Sequence, residues 1–306
     1  MASNFDYDKD IPDLSGKVIL ITGGTNGLGA QTVIRLAAHN PSHIYFTGRN
    51  SHAASTLINQ ITSSGRTKTN LQFLPCDLRS LASVKAAVQS ILSSQSRLDI
   101  LVSNAGIMNH PPGLTTDGYE LQFGVNYLSH ALFIKLLLPL LLRSDSPRVI
   151  ILTSTGFRGA PSGGIQFDSL RTTQDFPVFG GFIRYGQSKL AGVLLAKELA
   201  KRYPDILSVS VTPGIVDTEL VKGQSAFHRG HIWLAAKLGQ GGLITVEDGA
   251  KSQLWCAFAG RETMVNGGFY EPVGKLSGMK TKYTEDEELQ GRLWEWTELD
   301  ALKEWI

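Results

Sequence analysis

Cysteine is nearly absent: two residues in 306, Cys76 and Cys256, far apart and without metal-ligand spacing. That argues against a disulfide framework or a cysteine-based zinc site and fits a reducing compartment. Charge is also sparse, at 18% of residues with a formal net charge of +2, and no Lys/Arg cluster stands out. A nucleic-acid partner or an anionic membrane footprint is therefore not expected. Long apolar runs are missing as well. The longest, 131–142, is interrupted by Lys135 and Pro139 and is too short to cross a bilayer, so no integral membrane segment is expected. Residues 1–14 are polar and acidic rather than basic then apolar, unlike a cleaved secretory signal, and point to a cytoplasmic protein. Repeats, low-complexity tracts and linker-like breaks are also lacking, so residues 1–306 are expected to form one domain.

What is present is a substantial apolar share, 42%, arranged in an alternating order of strands and helices. The β-branched run 17–22 ends in Gly23-Gly24-Thr25-Asn26-Gly27-Leu28-Gly29, and a helical pattern follows. Strand, glycine turn and helix let the backbone approach a pyrophosphate closely and present unpaired helix N–H groups to it; a ligand-free turn would look similar. After the next strand, 44–47, Gly48-Arg49-Asn50 stands where an acidic residue would bind a ribose 2′-hydroxyl. Arg49 there points to NADP(H), although a solvated surface charge has the same appearance. Asp77 follows strand 71–74, where its carboxylate either bonds an adenine amino group or caps the next helix.

Strand 98–102 closes in Ser103-Asn104-Ala105-Gly106, whose small side chains leave room for a cofactor ring or make a plain turn. Helical patterns cover 119–126 and 128–142, with Asn126 in otherwise apolar company, the usual setting of a satisfied structural amide. Strand 148–153 delivers Ser154 at its C-terminal end, where open α/β sheets bind ligands. Residues 156–183 have no sustained period and read as an insertion over the site. Residues 215–242 mix glycines with apolar residues and read as a second insertion, either a substrate lid or two short surface helices. A helix is expected from Tyr185 to Arg202, which places Tyr185 and Lys189 one turn apart. A phenol releases its proton near pH 10, and a fixed cation beside it is expected to lower that value. His228 and His231 sit three apart with no third ligand, so no metal site is expected. The tail, 284–306, carries Trp294, Trp296 and Trp305 and is expected to pack onto the body.

Taken in order, Thr22-Gly23-Gly24-x-x-Gly27-x-Gly29, Asp77, Asn104-Ala105-Gly106, Asn126, Ser154, Tyr185-x-x-x-Lys189 and Pro213-Gly214 with Thr218 resemble the short-chain dehydrogenase/reductase family from about Gly16 to Leu302. Ser103 replaces an Asn common there. The long interval from Ser154 to Tyr185 and the Leu293-Trp294-Glu295-Trp296 tail are similar to the retinol-dehydrogenase-like and fungal branches. The resemblance implies an α/β fold: a three-layer, doubly wound Rossmann fold with a seven-stranded parallel sheet and helices on both faces. It implies hydride transfer between a nicotinamide and a carbonyl or alcohol. Tyr185 is then the general acid or base, Lys189 lowers its pKa and binds the ribose, Ser154 holds the reacting oxygen, and Asn126 positions a relay water. The implied cofactor seat comprises Gly23, Thr25, Asn26, Gly27, Leu28, Gly29, Arg49, Asp77, Leu78, Asn104, Ala105, Gly106, Tyr185, Lys189, Pro213, Gly214, Val216 and Thr218.

Rival expectations are an epimerase, isomerase or dehydratase on the same scaffold, or a non-catalytic NADP(H) sensor. Phe157, Phe179, Phe182, Phe227 and Trp233 point to a small apolar or aromatic carbonyl or alcohol substrate. The resemblance leaves a monomer or a homodimer.

Overall fold

In a computed structural model that describes residues 5–63, 65 and 67–306, the alternating runs become β1 (Val18–Ile21), α1 (Gly27–Ala37), β2 (His43–Gly48), α2 (Ser51–Ser63), β3 (Asn70–Pro75), α3 (Leu81–Leu92) and β4 (Ile100–Ser103). They continue as α4 (Ser129–Leu141), β5 (Arg148–Leu152), α5 (Gly180–Arg202), β6 (Leu207–Val211), α6 (Ala226–Gln240), α7 (Val246–Phe258), β7 (Phe269–Glu271), β8 (Lys275–Leu276) and α8 (Glu287–Trp296). Residues 1–4 of the N-terminal arm lie outside the described residues.

The strands form one sheet in the order β3-β2-β1-β4-β5-β6-β7-β8. Pairs from β3 through β7 are parallel, with Ile19 opposite Ile44 on one side and Ile100 on the other. The seven parallel strands are those expected; a two-residue antiparallel strand, β8, adds an edge. The order reverses between β1 and β4, so the crevice at their C-terminal ends is the place where such sheets bind ligands.

Side chains alternate along each strand and build two apolar layers. Leu20, Leu101, Val149 and Ile151 face the layer of α3, α4 and α5. Ile19, Ile21, Val102 and Ile150 face the layer of α1, α2 and α7. The N-terminal arm is less polar in its packing than in its composition. Phe5, Tyr7, Ile11 and Leu14 are buried in the second layer, and the Tyr7 hydroxyl donates to the Glu247 carbonyl.

The apolar run before β5 is longer than its sequence pattern implied. The helix begins at Leu121, passes through a π-helical turn, Gly124–Leu128, and ends with α4, giving 21 residues, most of them buried inside the protein. Lys135, which interrupts the run, pairs with the Glu298 carboxylate and lies 3.4 Å over the Trp294 ring. The tail thus caps the run. Trp296 packs against Tyr119 and Phe123, as expected of tail tryptophans.

Helix α5 starts at Gly180 rather than at Tyr185, because Phe179 adopts a left-handed backbone (φ 51°) that turns the chain into the helix. Tyr185 therefore sits in the second helical turn. The insertion before it is partly ordered by the 3₁₀ turns Thr155–Gly159 and Phe167–Ser169. The second insertion forms a helical turn, Glu219–Lys222, and the single helix α6.

Candidate active site

The turn after β1 depends on its glycines. Gly23 and Gly27 have φ of +67° and +53°, and a Cβ on Gly29 would lie 2.2 Å from the Gly23 carbonyl oxygen. The chain can therefore fold tightly into the start of α1, where Asn26 Oδ1 accepts the Gly27 N–H at 2.6 Å. A cleft of about 620 Å³ opens above this turn, lined first by Gly23, Thr25, Asn26, Gly27 and Leu28. Arg49 after β2, Asp77 and Leu78 after β3, and Asn104, Ala105 and Gly106 after β4 line it too, with Tyr185, Lys189, Pro213 and Thr218 completing the wall. Of the expected seat, Gly29 lies beneath the turn, while Gly214 and Val216 line a second cavity.

Residues that the sequence did not single out also line the cleft: Thr47, Arg79, Ile107 and Thr153. Arg79 matters most. Its guanidinium grips the Asp77 carboxylate, with Nε at 3.1 Å from Oδ1 and 3.0 Å from Oδ2. That hydrogen bond, with lesser help from the charge of Arg49, holds the Asp77 carboxyl below its usual range. At Gly48 a Cβ would lie 2.8 Å from Thr25 Cγ2, so an acidic residue there would displace Thr25. A glycine turn that tolerates no side chains and a helix N-terminus fit a dinucleotide's pyrophosphate.

The acid–base group assembles between β5 and α5. Thr153 Oγ1 donates to the Lys189 carbonyl at 2.8 Å, and Lys189 Nζ donates to the Leu152 carbonyl at 3.0 Å, tying helix to strand end. Tyr185 and Lys189 are both buried. The Tyr185 ring lies against Gly156, where a Cβ would meet Cε1 at 3.0 Å, and Ser154, whose Oγ accepts the Gly156 N–H at 3.1 Å, stands beside the phenol. Gly186 lets α5 reach the turn below; its Cβ would lie 2.7 Å from the Gly156 carbonyl oxygen. Asn126 lies behind the group: its Oδ1 accepts the Ile107 N–H at 2.8 Å, and its Nδ2 donates to the Ile107 carbonyl and to Ser188 Oγ, both at 2.9 Å.

One electrostatic expectation is corrected. Lys189 does not pull the phenol toward neutral pH; burial pushes Tyr185 up to about 12, opposed by the Ser154 hydrogen bond. Burial likewise pushes Lys189 down to about 8. The ammonium lies 5.6 Å from the ring centroid and spends a hydrogen bond on Leu152, so desolvation outweighs its field.

A second cavity of about 500 Å³ adjoins the first, and Tyr185 lines both. Met108, Phe179, Phe182, Ile183, Val221 and Ile232 give it apolar walls; Thr153, Ser154, Thr155, Tyr185 and Thr218 are its hydroxyl-bearing neighbours. No charged side chain lines it among the described residues. Only two of the five expected aromatics are there. Phe157 turns inward against Phe269, 5.3 Å between ring centroids, because the 3₁₀ turn after Ser154 points it into the core. Phe227 and Trp233 lie on the outer side of α6, 63% and 51% exposed. His228 Nδ1 pairs with Asn109 Nδ2 at 2.9 Å, and His231 Nδ1 with the Phe227 carbonyl at 2.9 Å.

Known proteins are similar to this chain. The family model for short chain dehydrogenase matches residues 17–165. An uncharacterized oxidoreductase of Schizosaccharomyces pombe is 42% identical over 226 residues, covering 71% of this chain and 66% of its own. The short-chain dehydrogenase/reductase drtF of Aspergillus calidoustus is 36% identical over 310 residues, 96% of each chain. Among solved structures, a blue fluorescent protein from a metagenomic library, in complex with NADPH, superposes with a TM-score of 0.67 at 25% identity, covering 87% of this chain and 100% of that one. With the glycine turn, the Asn104-Ala105-Gly106 turn and the Ser154, Tyr185 and Lys189 group all meeting at one crevice, the chain belongs to the short-chain dehydrogenase/reductase family of oxidoreductases.

Proposed function

We propose that this protein is an NADP(H)-dependent oxidoreductase that reduces a ketone or aldehyde of a small apolar or aromatic metabolite. The observation that carries this reading is the position of Tyr185, at the junction of the glycine-lined cleft and the apolar cavity. The bound nicotinamide supplies the hydride. Tyr185, protonated at neutral pH as any phenol is and held so more firmly by burial, is placed to give its proton to the carbonyl oxygen as negative charge develops there. Ser154 holds that oxygen beside the phenol, and Lys189 offers its cation to the ribose hydroxyls and to the phenolate left behind. Asn126 sits behind Lys189, where a proton relay from solvent would begin. The uncharged, mostly apolar second cavity supports a neutral substrate, since an ion would enter it without a partner.

The cofactor preference rests on Arg49 and Arg79 at the cleft rim and on Gly48, which leaves no acidic group for a 2′-hydroxyl. Arg49→Ala should raise the KM for NADPH roughly tenfold or more, the scale of one lost charge-assisted hydrogen bond, and leave that for NADH nearly unchanged. Turnover with both nucleotides tests the assignment directly, and a wild-type enzyme that prefers NADH would sink it.

Lys189 also sets a pH dependence. Its folded value, about 8, lies below the ordinary lysine value of 10.5, so the ammonium is present at acid and neutral pH and is lost as pH rises through about 8. The kcat/KM for NADPH, which reports the free enzyme, should hold at neutral pH and fall above about 8. A profile with no inflexion in that range would remove the charge of Lys189 from cofactor binding.

A further inference from the structure

His130 lies in α4 one turn after Asn126 and is buried. Its Nδ1 stands 3.0 Å from the Asn126 carbonyl oxygen and its Nε2 stands 2.9 Å from Thr22 Oγ1. A carbonyl only accepts, so Nδ1 carries the ring proton. Burial, first of all, pushes this imidazole down to about 4, so it is neutral at working pH and its Nε2 lone pair takes the Thr22 hydroxyl proton. With its proton committed there, Thr22 Oγ1 accepts the backbone N–H groups of Asn104, at 2.9 Å, and Ala105, at 3.0 Å. Thr22 thus holds the beginning of the turn 104–107, and the Asn126 amide holds its end through both polar groups of Ile107.

His130 joins those two holders and closes a ring of hydrogen bonds around the turn. That turn walls the cleft, and it lies against the acid–base group: a Cβ on Gly106 would be 3.1 Å from Asn126 Oδ1 and 3.5 Å from Lys189 Nζ. This backbone therefore lies close beside Lys189.

We propose that His130 is a positioning residue for hydride transfer, fixing the Asn104–Ile107 backbone that walls the cofactor cleft beside Lys189. It touches neither cavity itself and acts through Thr22 and Asn126. The inference rests on the nicotinamide reading given above. No local pattern marks it, since a histidine in an apolar helix reads as a packing residue until its two partners are seen.

The test uses the full chain and two variants with NADPH as the probe. His130→Leu removes donor and acceptor; His130→Asn keeps a donor near the Nδ1 position and loses the acceptor for Thr22. Both are measured at a temperature where circular dichroism shows them folded. His130→Leu should weaken NADPH binding, followed by nucleotide fluorescence, about tenfold. It should lower kcat by about 10- to 100-fold, the scale of a small misplacement of reacting groups, while the KM for the carbonyl substrate moves little. The deuterium isotope effect with 4-deuterated NADPH should rise as hydride transfer becomes limiting, and His130→Asn should fall between the two proteins.

A packing role alone would lower the melting temperature and leave NADPH affinity, kcat and the isotope effect of the folded variants at wild-type values, and that result overturns the proposal. If His130→Leu does not fold, His130→Asn decides by the same quantities. A wild-type protein that binds neither NADPH nor NADH overturns the nicotinamide reading itself. Binding by the wild type with unchanged variants overturns only the role of His130.

Discussion

Tyr185→Phe is expected to lower kcat by roughly 10²- to 10⁴-fold, the range that a positioned general acid contributes. The substitution removes one oxygen and keeps the ring, so the contacts with Gly156 and the packing of α5 survive. NADPH affinity should stay within about twofold of wild type, because the phenol oxygen contributes at most one neutral hydrogen bond to that seat. The separation of the two effects is the informative part. Loss of binding together with turnover would make Tyr185 a structural member of the cleft, and a variant retaining most of its activity would place the proton donor elsewhere. Single-turnover oxidation of NADPH, with bound nucleotide measured independently, distinguishes these outcomes.

Arg184→Ala is expected to destabilise the protein by about 3–5 kcal/mol, which for a chain of this size is roughly 10 °C in melting temperature. Arg184 and Glu120 are both fully buried, with Arg184 Nε 3.3 Å from Glu120 Oε1. Burial raises the Glu120 carboxyl above its usual range, and the Phe123 N–H at 2.6 Å and the Arg184 charge offset only part of that rise. Arg184 also donates to the Gln174 carbonyl at 2.9 Å and to the His110 carbonyl at 3.0 Å. One side chain thus fastens the insertion, the loop after β4 and the helix carrying Tyr185. Removing it strands a buried carboxylate and two carbonyls.

Thermal unfolding by circular dichroism reads the stability change, and a melting temperature within about 2 °C of wild type would show that the clasp is dispensable. Arg184→Met with Glu120→Leu should recover part of the loss, because removing both charges is far cheaper than removing one. The KM for the carbonyl substrate should rise in Arg184→Ala, since the same segment presents Phe179 and Phe182 to the second cavity.

The glycine-lined cleft expected to be the cofactor seat was legible because its parts are local. A tight turn needs glycine where φ is positive, and Gly23 and Gly27 take those positions. Strand ends carry Asp77, Asn104 and Ser154 toward one edge because parallel strands all point the same way. Gly214 and Val216 were assigned to that seat and belong to the neighbouring cavity, since the turn after β6 runs between the two. The aromatic reading failed where direction mattered. Phe157 and Trp233 are large and apolar in any listing of the chain, yet a 3₁₀ turn aims one into the core and the outer face of α6 leaves the other in solvent.

Spacing along the chain therefore determined the sheet, the glycine cradle and the pairing of Tyr185 with Lys189, because each follows from backbone periodicity and from which residues tolerate a given φ. Tertiary structure alone decided the pKa directions of that pair, the clasp of Arg184 on Glu120 and the ring closed by His130. Those depend on how much water is excluded and on distant partners, 108 residues away for His130 and Thr22, and neither desolvation nor distant pairing leaves a mark in local pattern.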